Sequence, residues 1–200
     1  MKKTLSLILA LVTVFSVMMC MSAPASAYTD AEVKKIAADY IGTSADSLSN
    51  YKCEVVKVTV VSLGGLTLTA DQYEITFRFN GISYKISVDS AGLIRNYSYE
   101  SKKLLIPKGE SGLINESEAR AKALNAAGVS SSDAIFTSTK FVVEDYAEYY
   151  TYEFLGKTQE VTAKVNASTK NASPEISATE KNAFIMFFTR LFAKISQLFG

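Results

Sequence analysis

The chain has few residues of the types that enzymes use in catalysis, and it lacks histidine, the most versatile of them. The 200-residue chain contains no histidine and no tryptophan. Without imidazole, the serine–histidine and cysteine–histidine nucleophiles and the common zinc sites are excluded. Gly64-Gly65 is followed by neither a lysine nor a helix start, so it is not a phosphate-binding loop. Carboxylates remain as the candidate acid and base groups.

Four acidic residues crowd one segment of the chain: Glu144, Asp145, Glu148 and Glu153. General acid–base catalysis needs carboxyl groups whose pKa values are shifted by burial or by a neighbouring charge. The pattern places these residues on a loop and on the exposed side of a strand, where carboxylates are solvated. We therefore expect an acidic face, with no catalytic residue, no cofactor and no metal site.

The first 27 residues have the pattern of an export signal. Lys2 and Lys3 precede an uncharged, mainly apolar stretch over residues 5–21, and Ala25-Ser26-Ala27 supplies the small residues that signal peptidase requires. We expect a signal helix within residues 1–27, cleavage after Ala27, and a secreted or extracytoplasmic protein. Attachment to the outer face of the cytoplasmic membrane stays open. An uncleaved anchor and a lipid on Cys20 are the alternatives.

Cleavage there would remove two lysines and leave acidic and basic residues almost balanced. Because no excess of positive charge remains, we expect no binding to nucleic acid. Cys53 would be the one cysteine left, which excludes an intramolecular disulfide. The stability of the fold must then come from its apolar cores.

An internal repeat organises the rest of the chain. Residues 28–42 align with residues 114–128, and in both segments apolar residues recur every three or four positions, the period of one helix face. Each segment predicts an amphipathic helix that ends at a glycine. Thr29 and Asn115 stand where an N-cap accepts from backbone amides, and a glutamate follows each of them three residues later.

Strand patterns follow both helices, with β-branched runs first and alternating aromatic residues after them. The sequence predicts an α+β fold of two tandem modules, residues 28–100 and 113–170, each with one helix packed on an antiparallel meander of three to four strands. Residues 63–70 are predicted as a connection and residues 101–112 as a linker. Residues 171–200 are predicted as a spacer, within a Ser-, Ala- and Asn-rich stretch, and an amphipathic C-terminal helix.

The second module resembles the PepSY domain family, small extracytoplasmic modules named for their occurrence in peptidase propeptides. The residues that carry the similarity are Ile114, Glu118, Ala119, Ala123, Leu124, Ala127-Gly128-Val129 and the strands over 150–154 and 161–165. The first module is most similar over residues 84–92. It departs from the family in the inserted 63–70 connection, and the second module has Thr169-Lys170 where a glycine is common. The resemblance implies a non-catalytic domain that inhibits or chaperones proteases, and it brings no motif of functional residues.

Tyrosines gather near the acidic segment. Alternation assigns Tyr150, Tyr152 and Phe154 to the core of the sheet, whereas Tyr146 and Tyr149 are candidates for a protein-binding surface, where tyrosine is enriched. A free sheet edge could also receive an extended segment of another protein.

The segment over residues 184–199 has apolar residues on one arc of a helix and polar residues on the other side. We expect these residues to bind a membrane or a partner: Phe184, Phe187, Phe188, Arg190, Leu191, Lys194, Ile195, Leu198 and Phe199. The segment is too short and too charged to span a bilayer, but phenylalanines with two cations and no acid suit an anionic membrane surface. The alternatives are docking of the arc onto the modules and pairing with a second copy.

Together these features predict a secreted, non-catalytic binding protein of bacterial origin. Its expected partner is an extracellular peptidase or another envelope protein, which it would inhibit or chaperone. The alternative is a structural protein of the cell envelope that contacts the membrane surface through its C-terminal helix.

Overall fold

The computed structural model describes residues 28–63, 66–108, 110, 112–168 and 173–199, so the predicted signal segment lies outside the described residues. In them the chain forms three α-helices and eight β-strands. The helices are α1 Asp30–Ile41, α2 Glu116–Ala127 and α3 Ala183–Phe199. The strands are β1 Ser49–Leu63, β2 Leu66–Phe79, β3 Ile82–Asp89, β4 Ile94–Tyr99, β5 Ile135–Glu144, β6 Ala147–Leu155, β7 Gln159–Asn166 and β8 Glu175–Glu180. The α+β class is confirmed.

Helices α1 and α2 begin and end where their local sequence predicts. Thr29 and Glu32 form a complete capping box, in which each side chain accepts a hydrogen bond from the backbone amide of the other residue. Asn115 caps α2 by accepting from the amide of Glu118 at 2.8 Å. A glycine in the left-handed conformation follows each helix. These short polar signals set the bounds of both helices.

The faces that the repeat aligns are the faces that the helices bury. Val33 and Ala37 of α1 are fully buried, and so are their counterparts Ala119 and Ala123 of α2. Small side chains at these positions let each helix lie close to the strands beneath it. The repeat therefore reflects the same packing requirement in both halves of the chain.

The eight strands follow one another in sequence order in one antiparallel sheet. Asn80 and Gly81 form the predicted tight turn between β2 and β3, with φ values of 50° and 78°. Strand alternation then directs the aromatic rings to the face that the helices cover. Tyr150, Tyr152 and Phe154 are at most 1% exposed, which confirms their predicted place in the core.

The strands are arranged differently from the prediction, because all eight belong to one sheet where two separate meanders of three to four strands were expected. Each of α1 and α2 is followed by four strands, and the predicted connection over 63–70 instead lies mostly in the long β1–β2 hairpin, which stays paired up to Leu63 and Leu66. The predicted spacer contains β8, which pairs with β7 through Val161 and Ala178. Its polar, Ser- and Ala-containing sequence gives no local strand signal, because pairing with β7 determines its conformation.

The two halves share one sheet and one core. Strand β4 pairs with β5 through Tyr97 and Val143. The ring of Phe141 lies between the two halves, 6.5 Å from the ring of Tyr97 and 5.7 Å from that of Tyr150. One cluster of buried residues includes side chains of α1 and α2 and of strands β2 to β7. The order of one helix and four strands occurs twice, but the described residues form a continuous sheet in place of the two separate modules that we expected.

A turn of the second half strengthens this junction. Asp145 and Tyr146, between β5 and β6, both have a positive φ, 47° and 67°. Arg95 of β4 donates to the Asp145 carboxylate at 2.9 Å and accepts at its carbonyl from the Tyr146 amide at 2.9 Å. The Tyr146 hydroxyl donates to the Asp89 carboxylate, also at 2.9 Å. These contacts hold an unfavourable backbone conformation in place.

The segment predicted as a linker lies against the core. Leu104 and Leu105 are half-buried and Pro107 is buried. The Leu105 amide donates to the Tyr99 hydroxyl at 2.9 Å, and this hydroxyl donates to the carbonyl of Lys103. The linker is thus part of the packed structure between the two halves.

Candidate functional site

The C-terminal helix α3 starts at a polar cap. The Asn182 side chain accepts from the Phe184 amide at 2.8 Å, and its carbonyl accepts from the Met186 amide at 3.0 Å. No glycine or proline interrupts the following residues. The local sequence therefore supports a helix up to Phe199, as predicted.

Helix α3 packs on the sheet through a narrow stripe of four residues: Met186, Arg190, Ala193 and Gln197. Their spacing of four, three and four residues places them on one side of the helix. Met186 is fully buried with Ile135 of β5 and Leu155 of β6, and Ala193 packs beside them. The docking side of α3 is thus mixed, with one large apolar residue.

Arg190 makes the polar part of this contact. Its Nη1 atom donates to the carbonyl oxygens of Asp133 at 2.6 Å, Leu155 at 3.3 Å and Gly156 at 2.5 Å. Two turns further, the Gln197 side-chain amide donates to the Phe136 carbonyl at 2.7 Å. Arg190 was expected to contact a membrane or a partner. Its guanidinium group instead holds α3 on the sheet.

The predicted apolar arc faces away from the protein. Eight of its large apolar side chains are 40–80% exposed: Phe184, Ile185, Phe187, Phe188, Leu191, Phe192, Ile195 and Leu198. The rings of Phe184 and Phe188 contact each other edge to face, with centroids 5.0 Å apart. Docking of the arc onto the sheet, one of the alternatives, does not occur. The Phe199 side chain lies outside the described part of the chain.

An apolar surface of this kind is expected to be buried by another molecule. Scattered exposed apolar residues are ordinary, whereas a contiguous arc marks an interaction surface. Lys194 is exposed on the same helix, and α3 contains no acidic residue. In the described part of the chain, no helix has the length and apolar character needed to cross a membrane. The arc is the strongest candidate site that the described residues offer.

The two tyrosines predicted to bind protein, Tyr146 and Tyr149, already make contacts within the chain. Tyr146 is 51% exposed, but its hydroxyl is used in the contact with Asp89 described above. The Lys164 amine lies 4.1 Å from the ring centroid of Tyr149 and also pairs with Glu144. Tyr146 lies in the turn between β5 and β6 and Tyr149 near the start of β6, at the opposite end of these strands from Ile135 and Leu155, where α3 docks.

Three of the four residues of the acidic segment lie at the surface. Glu144 pairs with Lys164 and Asp145 with Arg95, and the Glu153 side chain is exposed on β6. Such surface pairs contribute little to stability.

Glu148 is the exception in this segment. Its carboxyl group hydrogen-bonds to that of Glu110 in the linker, and this bond, burial and the charge of Glu110 raise the pKa of Glu148 to about 7. Tyr40 of α1 donates from its hydroxyl to Glu110 at 2.6 Å. Burial, followed by the contact with Glu110, also raises the pKa of Tyr40. No local sequence signal predicts this cluster, because its three residues come from distant segments and meet only in the folded chain.

Among the described residues, no three carboxylate or thiol groups are positioned to hold a metal ion. Burial is the main cause that raises the pKa of the Cys53 thiol, so this cysteine is not activated as a nucleophile.

The chain matches no family model, no curated protein and no solved structure in comparisons with each of these collections.

Proposed function

We propose that the protein is a non-catalytic, extracytoplasmic binding protein that α3 holds at the surface of a membrane. The observation that carries this proposal is the orientation of α3: it is fixed to the sheet through Arg190 and Met186, while its arc of phenylalanine, leucine and isoleucine residues faces solvent. The export signal predicted over residues 1–27 would deliver the protein to the side of the membrane where the arc can insert.

The chemistry of the helix favours a bilayer interface. Fully burying one side chain of this size stabilises a bound state by ~1.5–3 kcal/mol, so partial insertion of several of them is enough for peripheral attachment. Lys194 adds attraction to anionic headgroups, and α3 has no acidic residue to oppose it. Because Arg190 is used in docking, the apolar contribution should exceed the electrostatic one.

Flotation of the mature chain, residues 28–200, with liposomes tests the proposal. The wild type should float with vesicles that contain anionic lipid, and a variant with Phe187→Ser and Phe192→Ser should remain at the bottom. Both side chains are more than 60% exposed and belong to neither cluster of buried core residues. Leu93→Ser is the matched control, since Leu93 is 59% exposed in the turn before β4. Equal flotation of wild type and double variant would refute attachment through α3. A dimer that the double variant abolishes, without flotation, would assign the arc to a second copy.

We further propose that the halves are PepSY-like units that bind an extracellular peptidase or envelope protein. The support is the recurrence of one capped helix and four strands, with the buried pairs Val33/Ala119 and Ala37/Ala123 at matching positions. Binding here would inhibit or chaperone the partner by occupying its surface, without a chemical step.

One structural feature favours this second activity. Strand β1 is an edge of the sheet, and Val55 at its middle is 59% exposed. An exposed edge with a β-branched sequence can accept an extended segment of a partner as an added strand. Val55→Lys should weaken capture or inhibition of peptidases from the source organism, and Leu93→Lys should not. Absence of any complex with the wild type across that panel would count against a peptidase partner.

A further inference from the structure

The sheet opens between β4 and the first half of β5. Strand β4 pairs with β5 at one point, Tyr97 and Val143, although β5 begins at Ile135. The linker runs beside this part of β5 in place of a strand, and the Thr139 amide donates to the Lys102 carbonyl at 3.1 Å. A cleft of about 460 Å³ lies here, lined by residues of the linker, α2, β5 and the C-terminal part of α3.

The charged side chains that line the cleft are mainly basic. They are Lys102 and Lys103 of the linker and Arg120 of α2, with Glu116 of α2 as the acidic residue. Both lysines are exposed, and among the described residues neither forms an ion pair. The linker backbone is held in place, because the Lys103 carbonyl accepts from the Tyr99 hydroxyl at 3.1 Å. The cleft therefore has an excess of positive charge on a fixed segment.

Arg120 is positioned to bind an anion. Its guanidinium carbon lies 4.2 Å from the ring centroid of Phe136, and its Nη2 atom lies 2.8 Å from the Glu116 carboxylate. Its Nε atom is buried and has no hydrogen-bond partner in the described part of the chain. Buried donors without a partner are rare in folded proteins. An oxyanion in the cleft would supply the acceptor, since a guanidinium group binds phosphate through two nitrogens at once.

The cleft lies on the side of α3 that docks on the sheet. Gln197 of the docking stripe lines it and donates to the Phe136 carbonyl. When an amphipathic helix lies in a membrane interface, its apolar side enters the acyl region and its polar side stays at the level of the headgroups. Insertion of the apolar arc would therefore place the cleft beside lipid headgroups.

We propose that this cleft binds the phosphate group of an anionic lipid headgroup. The inference rests on the membrane attachment through α3 proposed above, and it adds selection of the lipid to that attachment. Arg120 contacts the phosphate oxygens, and Lys102 and Lys103 supply the positive charge that favours an anionic headgroup over a neutral one. Glu116 orients the guanidinium and compensates one of the three cations.

Flotation over a range of lipid concentrations tests the selection. One kind of vesicle contains phosphatidylcholine alone, and the other also contains phosphatidylglycerol. The double variant Lys102→Gln and Lys103→Gln should bind the anionic vesicles about tenfold more weakly than the wild type does. Its affinity for the neutral vesicles should be unchanged, because the apolar arc is intact.

The matched control is the double variant Lys52→Gln and Lys57→Gln. It removes the same charge from exposed positions of β1, four strands away from β5. Charges at this distance from the bound lipid are screened by salt, so the control should keep its affinity for anionic vesicles within about twofold of the wild type.

Titration with glycerol phosphate reads the cleft without a membrane. In the wild type, the NMR signals of the Thr137, Ser138 and Thr139 amides should shift saturably. Arg120→Lys keeps the charge but loses the two-nitrogen geometry, and should bind glycerol phosphate about fivefold more weakly. Absence of shifts, with equal preference of wild type and lysine variant for anionic vesicles, would overturn the cleft and leave attachment through α3 standing.

The same two measurements identify the source of the phosphate. Saturable shifts, with a preference for anionic vesicles that the lysine variant retains, would overturn a lipid source and assign the cleft to a free phosphate compound. A wild type that gives the shifts but floats with neither kind of vesicle would refute attachment through α3, and with it the lipid source.

Discussion

Replacing Arg190 by alanine should weaken the docking of the C-terminal helix without unfolding the sheet. Three carbonyl oxygens, those of Asp133, Leu155 and Gly156, accept from one guanidinium nitrogen. Hydrogen bonds to a charged group contribute ~1.5–3 kcal/mol each, but these three share a single donor atom, so we take about 3 kcal/mol for the whole contact. Burial of Met186, the other large contribution to docking, is worth ~1.5–3 kcal/mol.

Loss of about half of the docking free energy has a measurable effect. A change of about 3 kcal/mol corresponds to a factor of about 100 in the docking equilibrium. Amide protection within α3 should fall by up to that factor in Arg190→Ala, whereas protection in β5 and β6 stays near the wild-type value. Hydrogen–deuterium exchange followed by mass spectrometry resolves these segments.

Lys194→Ala is the control for this experiment. Lys194 lies one turn further along α3, carries the same charge and is exposed, so its removal should leave α3 protected. Liposome flotation should persist in Arg190→Ala, since the apolar arc is unchanged. Unchanged protection of α3 in Arg190→Ala would refute the assignment of Arg190 as the docking residue.

Three further predictions concern stability. The pKa of Glu148 is raised in the folded protein from its ordinary value of 4.5 to about 7, so the folded state binds the extra proton and stability falls as pH rises through that window. Urea titrations should show a loss of about 1 kcal/mol there after allowance for solvent screening, and Glu148→Gln should show none. Phe141→Ala, at the junction of the halves, should lower the free energy of unfolding by ~3–5 kcal/mol and leave one cooperative unfolding transition. Two separate unfolding transitions would contradict a shared core. Thr29→Ala should cost about 1 kcal/mol in thermal or urea unfolding because α1 loses its capping box, and an unchanged midpoint would show that the cap is dispensable.

The parts of the fold that local sequence determines were predictable. Thr29, Asn115 and the two terminal glycines act within one helical turn, and the alternation of Tyr150, Tyr152 and Phe154 follows from the two-residue period of a strand. Strand β8 was missed because its polar residues are extended only through pairing with β7. The sharing of one core depends on Phe141 contacting Tyr97, a contact between distant segments that no local pattern encodes.

The same distinction applies to the candidate site. Helical periodicity identified the apolar arc, since all of its residues belong to one continuous segment. It could not show which side of α3 docks, because this is decided by the free carbonyl groups at the ends of β5 and β6 that Arg190 reaches. Arg190, on the predicted polar face, was therefore expected to contact a membrane or a partner, whereas it binds backbone carbonyl groups.

The arc of α3 should enter the membrane surface while the rest of the protein stays outside it. Because the chain has no tryptophan, one introduced tryptophan is a unique fluorescent reporter. With vesicles that carry anionic and brominated lipids, the tryptophan fluorescence of the Phe192→Trp variant should shift to shorter wavelength and be quenched. The fluorescence of the Leu93→Trp variant should remain unquenched. Absence of quenching at both positions, or equal quenching at both, would contradict membrane attachment through the arc of α3.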